Sequence, residues 1–355
     1  MTIVCLLNAS CYNVSMKLSD FDYDLPKELI AQTPAEKRDH SRLMILDRRS
    51  QKISHDYFYN LKKYLESDDL LVFNQTKVFP ARLYGSKPTG GKVEILLLNI
   101  TPSDPPLNLR GGRKGELLLE SSNVWSFIGK NIGPAKKIIF DGGLVGDIQN
   151  GQIIFNCNNA ELMGRLDNIG HTPLPPYIRS QDAGRRTQNT RRRYQTVYAK
   201  EVGSAAAPTA GFHFTQELMD SIPNKSFVTL HVGLGTFAPV KTPIIEDHVM
   251  HSEHFEISDS ARGQVLSARR VVAVGTTSVK VLESDWSKNE TNIFIYPGYK
   301  FKHVDAMITN FHLPKSTLLM LVSAFASHAL IMEAYHEAIT HKYRFFSFGD
   351  AMIII

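Results

Sequence analysis

The chain has 355 residues, 43% of them hydrophobic and 21% charged, a balance that allows a sizeable core and excludes a disordered or low-complexity protein. Its net charge of +5 is modest, and no apolar run approaches the about eighteen residues of a membrane span, so no membrane association is expected. Cys5, Cys11 and Cys157 are an odd set without metal-type spacing, which argues against a disulfide framework and a zinc site and fits a reducing, cytoplasmic setting.

In chain order, residues 1–15 carry a short apolar core with no basic n-region, and read as a leader outside the fold with Met16 as an alternative start. A short helix led by Pro26 follows over residues 27–30, then a strand at 43–46, an amphipathic helix near 57–65, and a buried strand at 70–74. Between 77 and 158 the pattern changes to short β-type runs, such as 93–98, 117–119, 137–140 and 153–155, separated by Gly, Pro and Asp turns. That is the signature of a small barrel. After Glu161, strands at 227–232, 271–274, 292–296 and 306–309 alternate with helices near 216–221, 278–284 and 330–339. A further apolar run at 318–325 has the length of a core helix. The expected fold class is α/β: a mixed α/β main domain built from residues 16–76 and 159–355, with an all-β barrel-like domain inserted at 77–158.

The most informative segment is Thr309-Asn310-Phe311-His312-Leu313-Pro314-Lys315-Ser316-Thr317, a polar cluster where a strand hands over to a helix. Pro314 fits a first helical turn, and Lys315 and Ser316 would stand beside free N–H groups and the positive end of the helix dipole, a seat for a carboxylate or phosphate. The plain alternative is that Ser316 and Thr317 only cap the helix. Gly275-Thr276-Thr277-Ser278 leaves a β run through one glycine into a helix, either an anion cradle or a capped helix start, and it lacks the spaced glycines of a Walker or dinucleotide loop. Gly233-Leu234-Gly235-Thr236 after a strand allows close backbone approach to a flat ligand, or simply a tight turn.

Several residues could carry proton chemistry. His213, flanked by Phe212 and Phe214, is a candidate acid or base or a packed core histidine, and Thr215 is placed to cap the helix that follows. The run His248-Val-Met-His251-Ser-Glu253-His254 fits no zincin spacing, so no metal is expected there, and Glu253 reads better as a ligand-binding or proton-handling carboxylate. Asp350 sits among Phe345, Phe346 and Phe348, where desolvation would suit proton transfer if no hydrogen bonds hold it. Asn74, Thr76 and Arg82 leave a buried strand as donors for an anionic or purine-like ligand, or as its ordinary polar end. Arg185, Arg186, Arg191, Arg192 and Arg193 account for the whole net charge and should lie on an exposed loop that can neutralise phosphates or merely be solvated.

Taken together, these segments closely resemble the S-adenosylmethionine:tRNA ribosyltransferase-isomerase family of queuosine biosynthesis. The match spans residues 16–354 and rests on Asp22-Tyr-Asp-Leu-Pro26, the run from Asn74 to Arg82, Ala207-Pro-Thr209-Ala-Gly211, His231-Val-Gly-Leu-Gly-Thr-Phe237, Gly275-Thr-Thr-Ser278, and the stretches 309–320 and 345–352. The resemblance implies transfer and isomerisation of the ribosyl group of S-adenosylmethionine onto a 7-aminomethyl-7-deazaguanine at the tRNA wobble position. It further implies an epoxyqueuosine product, with adenine and methionine released. S-adenosylmethionine is then a consumed substrate, no cofactor is needed, and the enzyme is expected to be a monomer with tRNA as partner.

Under that reading His213, Glu253, His312 and Asp350 are the candidates for the base that takes a proton next to the sulfonium and the acid that helps adenine leave. Asn74, Thr76, Arg82, Thr209, Thr236, Thr277, Asn310, Lys315 and Ser316 are candidates for substrate contact, and the five arginines for tRNA. The family usually has a shorter, acidic loop ahead of Tyr194, where this chain carries the arginine-rich insertion. Phe212, where leucine is usual, and the residues before Met16 also depart from it. Two alternatives remain: a methyltransferase, for which the glycine-rich loop is missing, and a non-catalytic RNA-binding module, which leaves the polar strand ends unexplained.

Overall fold

The structure, a computed structural model, describes residues 15–98, 123–178, 188–233 and 240–355, without the side chains of 188–190. The leader up to residue 14, the expected strand at 117–119, and Arg185, Arg186 and Thr236 lie outside the described residues.

β1 (Arg42–Asp47) and β2 (Lys52–Tyr57) form an antiparallel edge, and β3 (Leu70–Asn74) is buried at every position. β4 (Thr76–Val78) leaves the main sheet and pairs in parallel with a later strand. Six strands follow in antiparallel pairings: β5 (Arg82–Ser86), β6 (Lys92–Leu97), β7 (Val124–Lys130), β8 (Lys137–Phe140), β9 (Val145–Gln149) and β10 (Gln152–Phe155). Their order, β10-β7-β6-β5-β8-β9, closes on itself as a barrel, which leaves no open edge. Leu83, Ile95, Leu97 and Ile153 fill it, and α1 (Asn159–Ile169) plugs its flank with Leu162 and Leu166.

The remaining elements are α2 (Gln188–Arg193), β11 (Glu201–Ser204), which is the partner of β4, α3 (Gln216–Asp220), β12 (Lys225–Leu230), β13 (Glu253–Glu256) and α4 (Asp259–Ser267). Then come β14 (Val271–Val274), α5 (Thr276–Glu283), β15 (Glu290–Thr291), β16 (Ala306–Asn310), α6 (Thr317–Ala326), α7 (His328–Thr340) and β17 (Ala351–Ile354). The main sheet has nine strands in the order β15-β13-β12-β3-β14-β16-β17-β1-β2. The run β12-β3-β14-β16 is parallel, so four strands deliver their C-terminal ends to one side of the sheet.

Alternation along the central strands feeds two cores. Leu70, Val72, Val271 and Ala273 face the helices α4 to α7, whereas Leu71, Phe73, Val272 and Val274 pack on Phe58, Leu61, Phe214 and Leu218. Period two is the geometry of a strand, and burial of both faces explains why these strands read as unbroken apolar runs.

Four local expectations need correction. The helix expected near 57–65 is a 3-10 helix over Phe58–Tyr64, because its buried residues Phe58 and Leu61 repeat at three. The strand expected at 292–296 is absent: β15 stops at Thr291, and the apolar residues after it line a cleft rather than join a ladder. Pro314 precedes α6 instead of opening it, since Lys315 takes a positive φ of 56° and Ser316 is the cap. Arg191, Arg192 and Arg193 end a short helix rather than lie on a loop.

Candidate functional site

The C-terminal ends of parallel strands are where open α/β sheets present their ligand crevice. Here β14 passes through Gly275 into α5, and β16 passes through residues 311–316 into α6. Gly275 has φ 88°, a conformation that favours glycine; a Cβ there would meet Ala210 at an ordinary 3.5 Å, so the backbone angle is what requires glycine. Two clefts open at this end. The first, of about 760 Å³, is lined by Glu253, Lys280, His248, Ile293 and Ile295 among others. The second, of about 730 Å³, is lined by Thr209, Asn310, His312, Ser316, Tyr177 and Ser347 among others. Thr276, Thr277 and Leu318 belong to both walls, so the start of α5 divides one composite crevice.

His312 sits in the second cleft, buried, with its backbone fixed by two tyrosines. Tyr23 Oη donates to its carbonyl, and its N–H donates to Tyr335 Oη at 2.8 Å. Its Nε2 meets Thr309 Oγ1 at 2.9 Å. Burial pushes its pKa down to about 3, so the imidazole is neutral at pH 7. Asn310 crosses the same floor: its amide donates to Phe346 O and faces His213 Nε2 at 3.1 Å, while its Oδ1 accepts from Thr209 Oγ1 at 3.3 Å. Tyr177 Oη and Ser347 Oγ lie 2.6 Å apart across the mouth, and burial raises the phenol to about 12.

In the first cleft Glu253 and Lys280 form an ion pair with side chains 7% and 8% exposed, and Gly233 N–H donates to Glu253 Oε1 at 3.4 Å. Thr277 Oγ1, on the shared wall, is a buried oxygen with no hydrogen-bond partner among the described residues.

Other expected site residues lie elsewhere. His213 is behind Asn310, its Nδ1 on Ser41 Oγ at 2.7 Å; burial, helped by Arg38 and Arg344, pushes it down to about 3. Asp350 is claimed by Arg42, through its backbone N–H at 3.0 Å and guanidinium at 3.1 and 3.2 Å, and by Arg344 N–H at 2.8 Å. That is the hydrogen-bonded structural alternative. Asn74 is spent on backbone: Oδ1 accepts from Thr76 and Leu230, and Nδ2 donates to Leu230 O at 3.0 Å. Thr76 Oγ1 binds His231 Nδ1 at 2.8 Å, and Arg82 pairs with Glu94 at 3.4 Å on the barrel. Lys315 pairs with Asp22 at 2.6 Å. Ser316 caps α6, its Oγ accepting from Leu319 N–H at 3.2 Å while still lining the second cleft.

The arginines divide as well. Arg191 binds Asp167, and Arg193 donates to the carbonyls of Ala35 and Glu36. Arg192 is exposed, with no partner for its guanidinium among the described residues.

Sequence reasoning passed over Lys280, Tyr177, Ser347, Tyr23 and Tyr335. Lys280 had a usable signal, since it lies one turn after Thr276 on the same helix face. Among the described residues, His55, Glu337 and His341 are compact enough to hold a metal, all within 4.8 Å. They already form a histidine–carboxylate pair of 2.7 Å oriented by Tyr343 Oη on His55 Nδ1, and they line neither cleft. No single described helix is long and apolar enough to cross a membrane.

Residues 18–354 match the model of a family described as queuosine biosynthesis protein. The chain belongs to that family. A relative from Carboxydothermus hydrogenoformans, named S-adenosylmethionine:tRNA ribosyltransferase-isomerase, is 49% identical over 360 aligned residues, covering 96% of this chain and all of its own. A relative of the same name from Caldanaerobacter subterraneus subsp. tengcongensis is 49% identical over 370, with the same coverage. The crystal structure of the S-adenosylmethionine tRNA ribosyltransferase from Thermotoga maritima is 34% identical with a TM-score of 0.51, over 95% of this chain and all of that one. Membership of the queuosine biosynthesis family makes the chain a transferase-isomerase, and the arginine-rich segment 185–193 is part of a family member.

Proposed function

We propose that this chain transfers and isomerises the ribosyl group of S-adenosylmethionine onto the 7-aminomethyl group of a 7-deazaguanine at the tRNA wobble position. The product is epoxyqueuosine, with adenine and methionine released and no cofactor required. The observation that carries the reading is a composite crevice at the C-terminal ends of the parallel strands, in which the cleft holding His312 and Asn310 meets the cleft holding Glu253 and Lys280 at Thr277. The sulfonium acidifies the adjacent C5′–H, and removing that proton needs a base that is unprotonated at neutral pH. In the tautomer whose Nε2–H donates to Thr309 Oγ1, His312 keeps a lone pair on Nδ1 for this task, and the burial that holds it neutral also makes it a weak base. Asn310, Thr209 and the Tyr177–Ser347 pair supply polar contacts for the nucleoside. His213 supports that floor from behind through Asn310, whose amide also reaches the Asp350 carbonyl at 3.5 Å. The barrel is read as a domain inserted at 77–158, and the exposed Arg192 is the contact for tRNA phosphate. The reading carries the expectation of a cytoplasmic monomer, which sedimentation with and without tRNA tests.

The test uses S-adenosylmethionine labelled either in the ribose or in the methyl group, with tRNA bearing the aminomethyl base. Ribose label should enter tRNA while methyl label leaves with methionine. Methyl label in tRNA would replace this reading with a methyltransferase.

A further inference from the structure

We propose that the buried Glu253–Lys280 pair reads the amino-acid head group of the sulfonium substrate, Lys280 binding its carboxylate and Glu253 its ammonium. This rests on the reading of S-adenosylmethionine as substrate and assigns each half of the molecule to one cleft.

A buried ion pair is seldom a device for stability, because desolvating two charges offsets most of their attraction. Glu283, on the same helix, shows what a purely structural carboxylate looks like here. It accepts from the N–H groups of Lys302, His303 and Val304 and from Tyr299 Oη, and faces no cleft. Glu253 and Lys280 instead form the charged wall of a cleft in which His248, His251 and Ser252 face Ile293, Ile295 and Leu321. Among the described residues Lys280 has Glu253 as its one partner, which leaves two of its three N–H donors for a ligand.

Position along α5 adds a second, independent argument. Thr276 and Lys280 are four residues apart, so they share a face and lie about 6 Å apart along the axis. That rise is comparable to the reach of a methionine side chain from sulfur to carboxylate. Thr277 Oγ1, buried and unpartnered among the described residues, marks the junction where the ribose would pass from one cleft to the other. The apolar residues then flank the methylenes, and the charge pair is complementary to a zwitterion in both signs.

The test measures binding of three ligands to the wild-type protein by calorimetry: S-adenosylmethionine, its decarboxylated analogue, and the dimethylsulfonium analogue that lacks the whole amino-acid arm. A charged hydrogen bond lost from a buried site predicts a ten- to hundredfold weaker decarboxylated analogue, roughly. Lys280→Met should weaken S-adenosylmethionine to that level and leave the dimethylsulfonium analogue unchanged. Equal wild-type affinity for the three ligands overturns the subsite, and so does a folded Lys280→Met protein that keeps full affinity for S-adenosylmethionine. If Lys280→Met does not fold, the wild-type series decides alone. Failure of the wild-type protein to bind any of the three overturns the substrate reading itself.

Discussion

Acidification should destabilise this protein through two histidines that it buries uncharged. His213 and His312 are both held near a pKa of about 3, chiefly by burial, against an ordinary value near 6.5. Each folded-state value lies below the unfolded one, so the unfolded chain binds more protons between those limits and stability falls as pH drops through that window. Moving from pH 7 to pH 5 should cost about 2 kcal/mol per histidine, or about 4 kcal/mol for the two. His231 and His248 are also lowered by burial and add to the total with the same sign, so the informative quantity is a difference. His213→Gln removes one titrating group, and equilibrium urea unfolding followed by circular dichroism at pH 7, 6 and 5 reads the result. The gap between wild type and variant should narrow by about 2 kcal/mol from pH 7 to pH 5. A gap that stays constant would mean that His213 is not held neutral by burial, and the same argument for His312 as a neutral base would fall with it.

His312→Gln should lower the rate of adenine release by about 10² to 10⁴ with binding of S-adenosylmethionine retained; loss of binding with an unchanged rate constant would contradict the role of base. Glu283→Ala leaves three backbone N–H groups without their acceptor and Tyr299 Oη with only the residue-283 carbonyl at 3.4 Å, and should destabilise the fold by about 3 kcal/mol in urea unfolding. An unaltered urea midpoint would show those donors to be solvated. Arg192→Ala should weaken tRNA uniformly and reduce the salt slope of binding by about 1. Arg193→Ala acts on the fold as well, because it loses the carbonyls of Ala35 and Glu36. A salt slope unmoved by Arg192→Ala would remove that residue from the tRNA surface.

What could be read from the chain follows the range of the interactions involved. Unbroken apolar runs such as 70–73 and 271–274 announce strands buried on both faces, and the cap at Thr215 is a local contact with Leu218. The cluster at Thr309, Asn310 and His312 was legible for the same reason, since Thr309 and His312 meet across only three positions. For Asn74 the sequence leaves a ligand donor and an ordinary strand end open, because the partner the structure gives it, the backbone of Leu230, is 156 residues away. Asp350 was equally invisible, since it is neutralised by Arg42 across 308 positions. The arginines at 191 and 193 looked solvated until the fold brought Asp167 and the carbonyls of Ala35 and Glu36 to them. Lys280 was hidden in a different way: a lysine in a helix of mixed pattern reads as surface, and only the approach of β13 to α5 makes it one half of a buried pair.

The most direct measurement is mass spectrometry of both products from purified protein, S-adenosylmethionine and tRNA carrying the aminomethyl-deazaguanine base. The account predicts one free adenine and one methionine for each wobble nucleoside converted to epoxyqueuosine. Formation of S-adenosylhomocysteine with a methylated tRNA, or tRNA binding with no adenine released, would contradict it.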